Sequence, residues 1–144
     1  MTADKALTVQ TITGAFAQEL VESAEKAATT HGKPMVIAVV DREGTLKAYP
    51  RMDGAPLLSV EIAQNKAYTA AAFGLATHAW FEFIQGDEPL RLGIVHTERL
   101  VTFGGGYPVV VDGQVIGAIG VSGGHYTDDM AVATAALEAA GLTV

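Results

Sequence analysis

The chain predicts an α+β fold in which helices flank a five-stranded antiparallel sheet. Three observations carry this reading. Asp112-Gly113 sits between two β-branched apolar runs, the pattern of a two-residue hairpin. A second turn sequence, "DREG" at 41–44, separates another pair of runs. Three of the strand connections read as hairpins or tight turns rather than as the helical crossovers that a doubly wound parallel sheet requires.

The elements follow in order. Residues 8–30 predict a helix, because Phe16, Leu20, Ala24 and Ala27 recur at helical spacing with Glu19, Glu22, Glu25 and Lys26 opposite them. Thr8 suits its N-cap, and "HGKP" at 31–34 ends it. "MVIAVVD" (35–41) is apolar on both faces and reads as a central strand, and "TLKAYPR" (45–51) returns beside it. Residues 55–76 predict a second helix with Pro56 in its first turn. Its Ala63, Ala67, Ala70 and Ala71 form a small face that admits a close backbone. "THAWFEFIQ" (77–85) reads as a short helix or a lid, and "GDEP" as a turn. Three strands follow: "LVTF" (100–103), 107–112 and 114–121. Thr127 or Asp128 caps a last helix that Gly141 ends.

A length of 144 residues predicts one domain, 1–144, large enough to bury roughly 68–70% of its unfolded surface. The apolar fraction of 49% against 17% charged is high for this length. With the small helix face, that surplus predicts a homo-oligomer. A net charge of −7 disfavours nucleic acid and anionic membrane as partners. The absence of cysteine removes disulfides and thiolate chemistry and suits a reducing, cytoplasmic compartment. "MTADKALTVQ" lacks the pattern of a signal peptide, and the longest apolar run, 115–121, is far shorter than the ~20 residues of a spanning helix.

"PRMDGAP" at 50–56 poses the first site question. Asp53-Gly54 is turn chemistry, with Asp53 placed to cap the second helix. Arg51 has two open readings: an anion clamp beside a helix N-terminus, or a structural partner of Asp53 or Asp41. Lys66 is either a surface lysine or a second cation facing Arg51; Tyr68 and Thr69 add hydroxyls. Gly104, Gly105 and Gly106 precede Tyr107, and three successive glycines imply a sharp bend or something lying against the backbone. No G-x-G-x-x-G or G-K-[ST] is present, and Asp128 and Asp129 at the start of the last helix disfavour a phosphate. The four histidines have no zinc-motif spacing, so no metal set is predicted. Haem needs only one axial ligand, and His96 and His125-Tyr126 are the residues to watch. Their plainer reading is as solvated loop residues. Ser122 in "GVSGG" is not a nucleophile elbow.

Taken together, "VVD-x-x-G", "RMDGA", "KAYTA", "GGGYP" and "GAIGVSGG…D" resemble the GlcG/HbpS-like family, the haem-binding-protein-like domain also found at the C-terminus of some corrinoid adenosyltransferases. The resemblance spans about residues 10–142. It implies a profilin-like fold with a five-stranded antiparallel sheet, homo-oligomers from dimers to larger rings, and binding of haem or a related tetrapyrrole or corrinoid. It assigns no axial ligand here. Segment 77–100 matches no family pattern, and "GHYTDD" replaces a small polar loop. The pocket it suggests has Arg51 as clamp and Lys66 as second charge. Asp53, Thr69, Tyr107 and the glycines 104–106 surround them. Three functions follow: a binding protein for haem or another tetrapyrrole; an enzyme doing acid–base chemistry on a carboxylate-bearing metabolite, with His96 or His125 as base; or an oligomer without ligand chemistry.

Overall fold

Asp112 and Gly113 both adopt left-handed backbone, φ 51° and 76°, as a type I′ hairpin turn demands. They join β3 (Gly106–Val111) to β4 (Gln114–Ser122). The structure, a computed structural model, describes residues 5–144, so the N-terminal reading of 1–4 lies outside it. β1 (Val36–Asp41) and β2 (Leu46–Ala48) complete an antiparallel sheet in the order β2-β1-β4-β3.

The sheet has four strands, not the expected five. Residues 100–103 join no ladder, and Phe103 lies in a bend. The Leu100 N–H donates to the Thr97 carbonyl and the Val101 N–H to Thr69 Oγ1. Backbone groups that a fifth strand needs are spent on a local turn and on a helix. β2 is also shorter than predicted, although the chain stays beside β1: Ile37 N–H donates to Pro50 O and Met52 N–H to Met35 O.

β1 is interior and buried on both faces, as its composition predicts. Ile37 and Val39 point toward α1 (Gly14–His31) and α5 (Tyr126–Ala139), joining Leu20, Val21, Ala24, Val132, Ala133 and Ala136. Val36, Ala38 and Val40 point toward α2 (Ser59–Phe73), meeting Ala63, Ala67 and Ala70. The small face of α2 admits the sheet so closely that a Cβ at Gly120 would overlap the Ala63 carbonyl.

Helix starts differ from expectation. α1 begins at Gly14 with Thr13 as N-cap, not at Thr8. The β-branched Thr11-Ile12-Thr13 run favours extended backbone: Ile12 N–H donates to Ile116 O at 2.8 Å, and Ile12 is buried. α2 begins at Ser59 with no side-chain cap, so Asp53 does not cap it. Residues 56–58 form a turn first, Ser59 N–H donating to Pro56 O. Segment 77–96 holds α3 (Thr77–Ile84), a turn at 85–87, α4 (Glu88–Gly93) and a 3-10 turn (Ile94–His96). "GDEP" leaves the turn at Gly86 and enters α4, with Asp87 as N-cap. α5 is capped by His125 rather than by Thr127 or Asp128. Asp128 instead completes a capping box and accepts from His31, Lys33 and the His125 N–H. Those hydrogen bonds, Lys33 first and His31 next, hold the Asp128 carboxyl well below the usual carboxylate range. No described helix is long and apolar enough to cross a membrane.

Candidate functional site

Lys66 lies on the Ala63–Ala67–Ala70 stripe of α2, three residues past Ala63, and that stripe faces the sheet. Its side chain is fully buried. Nζ donates to Asp129 Oδ2 at 2.8 Å and to Val121 O at 2.9 Å, and sits 5.1 Å from the centre of the Phe103 ring. Asp129, in the first turn of α5, uses its other oxygen to accept the Gly124 N–H. Burial pushes the Lys66 ammonium below its usual range, while Asp129 pulls it back. Lys66 is therefore neither the surface lysine nor the cation facing Arg51 that its sequence context allows.

The glycine run is explained by the same pair. Gly105 has φ 124°, and a Cβ there would lie 2.6 Å from Lys66 Nζ and 2.7 Å from Val121 O. A Cβ on Gly106 would lie 2.5 Å from Lys66 O, and one on Gly104 would overlap Met130 Sδ. The atoms lying against this backbone are the protein's own. Thr77 fastens the loop, its Oγ1 accepting the Gly106 N–H at 2.9 Å. Thr69 is likewise occupied, donating to Arg99 O and accepting from Val101 N–H.

Arg51 is exposed, forms an isolated bridge with Val36, and donates from Nη2 to Ala55 O at 3.5 Å. Among the described residues it forms no ion pair with Asp53 or Asp41. Asp53 lies exposed in the turn, and Asp41 accepts from the Glu43 and Thr45 N–H groups. The Lys66 ammonium is spent on Asp129 and Val121 O, so it offers no free charge to a ligand held at Arg51. His96 is exposed on the 3-10 turn. His125 Nδ1 accepts the Thr127 N–H, which makes it a cap.

His78 on α3 is placed differently, and sequence reading gave it no role. Its ring lines two cavities. One, about 360 Å³, is walled by Phe81, Phe103 and Tyr126 with Glu82, Thr102 and Gly104. The other, about 470 Å³, includes Tyr107, Met130 and Leu137. His78 Nδ1 is buried with no hydrogen-bond partner, and its ring stands 5.5 Å from that of Tyr107. Burial pushes the Tyr107 phenol up. Of the predicted site residues, Gly104 and Tyr107 border these cavities. His78 and Phe81 are three apart in "THAWFEFIQ", a spacing that sets them on one helix face and was the available signal.

The family model described as "Haem degrading protein HbpS-like" matches residues 12–138. The chain belongs to the HbpS-like family. Within it, an uncharacterized 15.0 kDa protein of the dhaT-dhaS intergenic region of Citrobacter freundii is 39% identical over 136 residues, covering 94% of this chain and 96% of that one. Protein GlcG of Escherichia coli (strain K12) is 38% identical, covering 74% and 78%. The corrinoid adenosyltransferase PduO of Salmonella typhimurium is 38% identical over 122 residues, or 84% of this chain; the match spans only 36% of PduO. A crystal structure of a PduOC:haem complex superposes with a TM-score of 0.83 at 35% identity, covering 90% and 94% of the two chains. These HbpS-like relatives bear out the sequence resemblance.

Proposed function

We propose that this HbpS-like chain binds haem or a related tetrapyrrole in the slot between α3, the Phe103-Gly104 loop and the start of α5. The observation that carries the reading is His78: an imidazole that borders a cavity with aromatic walls, its Nδ1 enclosed and without a hydrogen-bond partner. The donor set fits the group. Phe81, Phe103 and Tyr126 offer flat apolar contact, and His78 offers an imidazole nitrogen. No lysine or arginine lines either cavity, and Glu82 lines one, so neither cavity offers a cation to a ligand carboxylate. When bound, haem supplies redox-active iron. The family match and the haem complex of PduOC support this reading.

We place the chain in a homo-oligomer, because Leu57, Leu58, Phe73 and Phe83 are exposed and apolar. A cysteine-free chain suits the cytoplasm. Haemin titration tests the ligand reading: the wild type gains a Soret band of a histidine-ligated haem. His78→Ala shifts or loses it, while His96→Ala and His125→Ala keep it. An unchanged spectrum in His78→Ala overturns the assignment.

A further inference from the structure

We propose that a second hollow, on the outer side of α2, binds a small carboxylic acid that also carries an ammonium group, with Arg99 holding the carboxylate. The hollow is about 480 Å³ and is lined by Glu61, Gln64 and Asn65 on α2 and by Glu98 and Arg99 on the loop after the 3-10 turn. It shares no lining residue with the cavities at His78.

Arg99 is built to present its fork. It is one of two described non-glycine residues with positive φ, at 66°, and the other is in the hairpin turn. A bulky residue is disfavoured there and persists only when its surroundings hold it. Thr69 does so: its hydroxyl donates to Arg99 O at 2.8 Å and accepts Val101 N–H at 3.1 Å. The guanidinium lies 3.8 Å above the Tyr68 ring, and that ring is backed by Gly44, where a Cβ would stand 2.8 Å away. Nε donates to Asn65 Oδ1 at 3.2 Å. The terminal nitrogens form no ion pair among the described residues, although two carboxylates line the same hollow. An arginine fixed by stacking and by its Nε, with its η nitrogens unspent, matches a carboxylate bidentately. Asn65 has its oxygen engaged, which leaves its amide nitrogen as a second donor.

Charge selects the rest of the ligand. One guanidinium against Glu61 and Glu98 leaves the hollow net negative, within a chain of net charge −7. A plain anion is repelled by that field, whereas a ligand whose cationic end meets the glutamates is neutralised.

Three probes of matched skeleton test this by side-chain NMR: 4-aminobutyrate, butyrate and butylammonium. The expected result is that 4-aminobutyrate shifts the Arg99 Nε–H and Asn65 amide resonances. It binds at least about tenfold more tightly than butyrate, and butylammonium leaves Arg99 Nε–H unmoved. Arg99→Gly suits the left-handed backbone, which offsets the lost stacking on Tyr68 and the lost bond to Asn65. It should keep the protein folded and weaken 4-aminobutyrate binding by about tenfold or more. Glu61→Gln with Glu98→Gln should narrow the gap between 4-aminobutyrate and butyrate. Equal binding of butyrate, undiminished binding by Arg99→Gly, or no shift by any probe overturns the proposal.

Discussion

Lys66 Nζ and Asp129 Oδ2 stand 2.8 Å apart with neither side chain more than 3% exposed. The pair joins α2 to α5 under the glycine loop, and Val121 O and Gly124 N–H satisfy further hydrogen-bonding groups. Removing one partner strands a buried charge.

Lys66→Met and Asp129→Leu should therefore each destabilise by about 3–5 kcal/mol, whereas the double variant should recover much of the loss. Urea denaturation of the four proteins measures this. Additive losses in the double variant would show that the two side chains act independently.

Gly105→Ala should cost clearly more than Gly113→Ala. Both positions have positive φ, 124° and 76°, but only Gly105 would drive its Cβ into Lys66 Nζ and Val121 O; nothing lies within 4 Å of a Cβ on Gly113. The hairpin change should cost about 1–2 kcal/mol from backbone conformation alone. Chemical denaturation compares them, and equal costs would show that the loop does not press on the buried pair.

Thr69→Val should cost about 1–3 kcal/mol, because it leaves Arg99 O and Val101 N–H without their shared partner. Thr69→Ser should retain most of the stability. Melting temperatures of both variants check the contrast, and equal losses would remove the hydroxyl from the explanation.

The His31–Asp128–Lys33 cluster predicts an acid response. The folded Asp128 carboxyl is held below its ordinary value of 3.8, so the folded state binds fewer protons than the unfolded one in that range. Its stabilising contribution is complete above the unfolded value and is lost as pH falls below about 4. Asp128→Asn should flatten the fall in stability across that window, most visibly at low salt because the cluster is solvent-facing. An identical acid profile in the variant would exclude Asp128 as a contributor.

His125→Ala should lower stability by about 0.5–2 kcal/mol through loss of the α5 cap. The expected haemin spectrum is unchanged. Loss of haem ligation without loss of stability would reverse the roles assigned to His125 and His78.

The legible parts of this chain are those where the deciding interactions lie close in sequence. The Asp112-Gly113 hairpin, the two-faced strand at Val36–Asp41, the Gly32 stop of α1 and the small face of α2 each depend on backbone preference or side-chain period over a few residues. The misread strand at 100–103 shows the limit. Its apolar, β-branched residues suit a strand, yet Thr69 claims the Val101 N–H from 32 positions away. Arg51 reads as lying beside a helix N-terminus, yet residues 56–58 turn first and α2 begins only at Ser59.

By itself the sequence determined an α+β chain with an antiparallel sheet, helices packed on both faces, and an HbpS-like pattern of blocks; these rest on periodicity and turn chemistry, which act locally. Only the tertiary structure decided what the polar residues do. Lys66 meets an aspartate 63 residues later, the glycines close over that pair, and His78 is left facing aromatic walls from α3, the 103–104 loop and α5. The partner of a buried charge or of an unsatisfied nitrogen is set by how distant elements dock, and no local pattern records that docking.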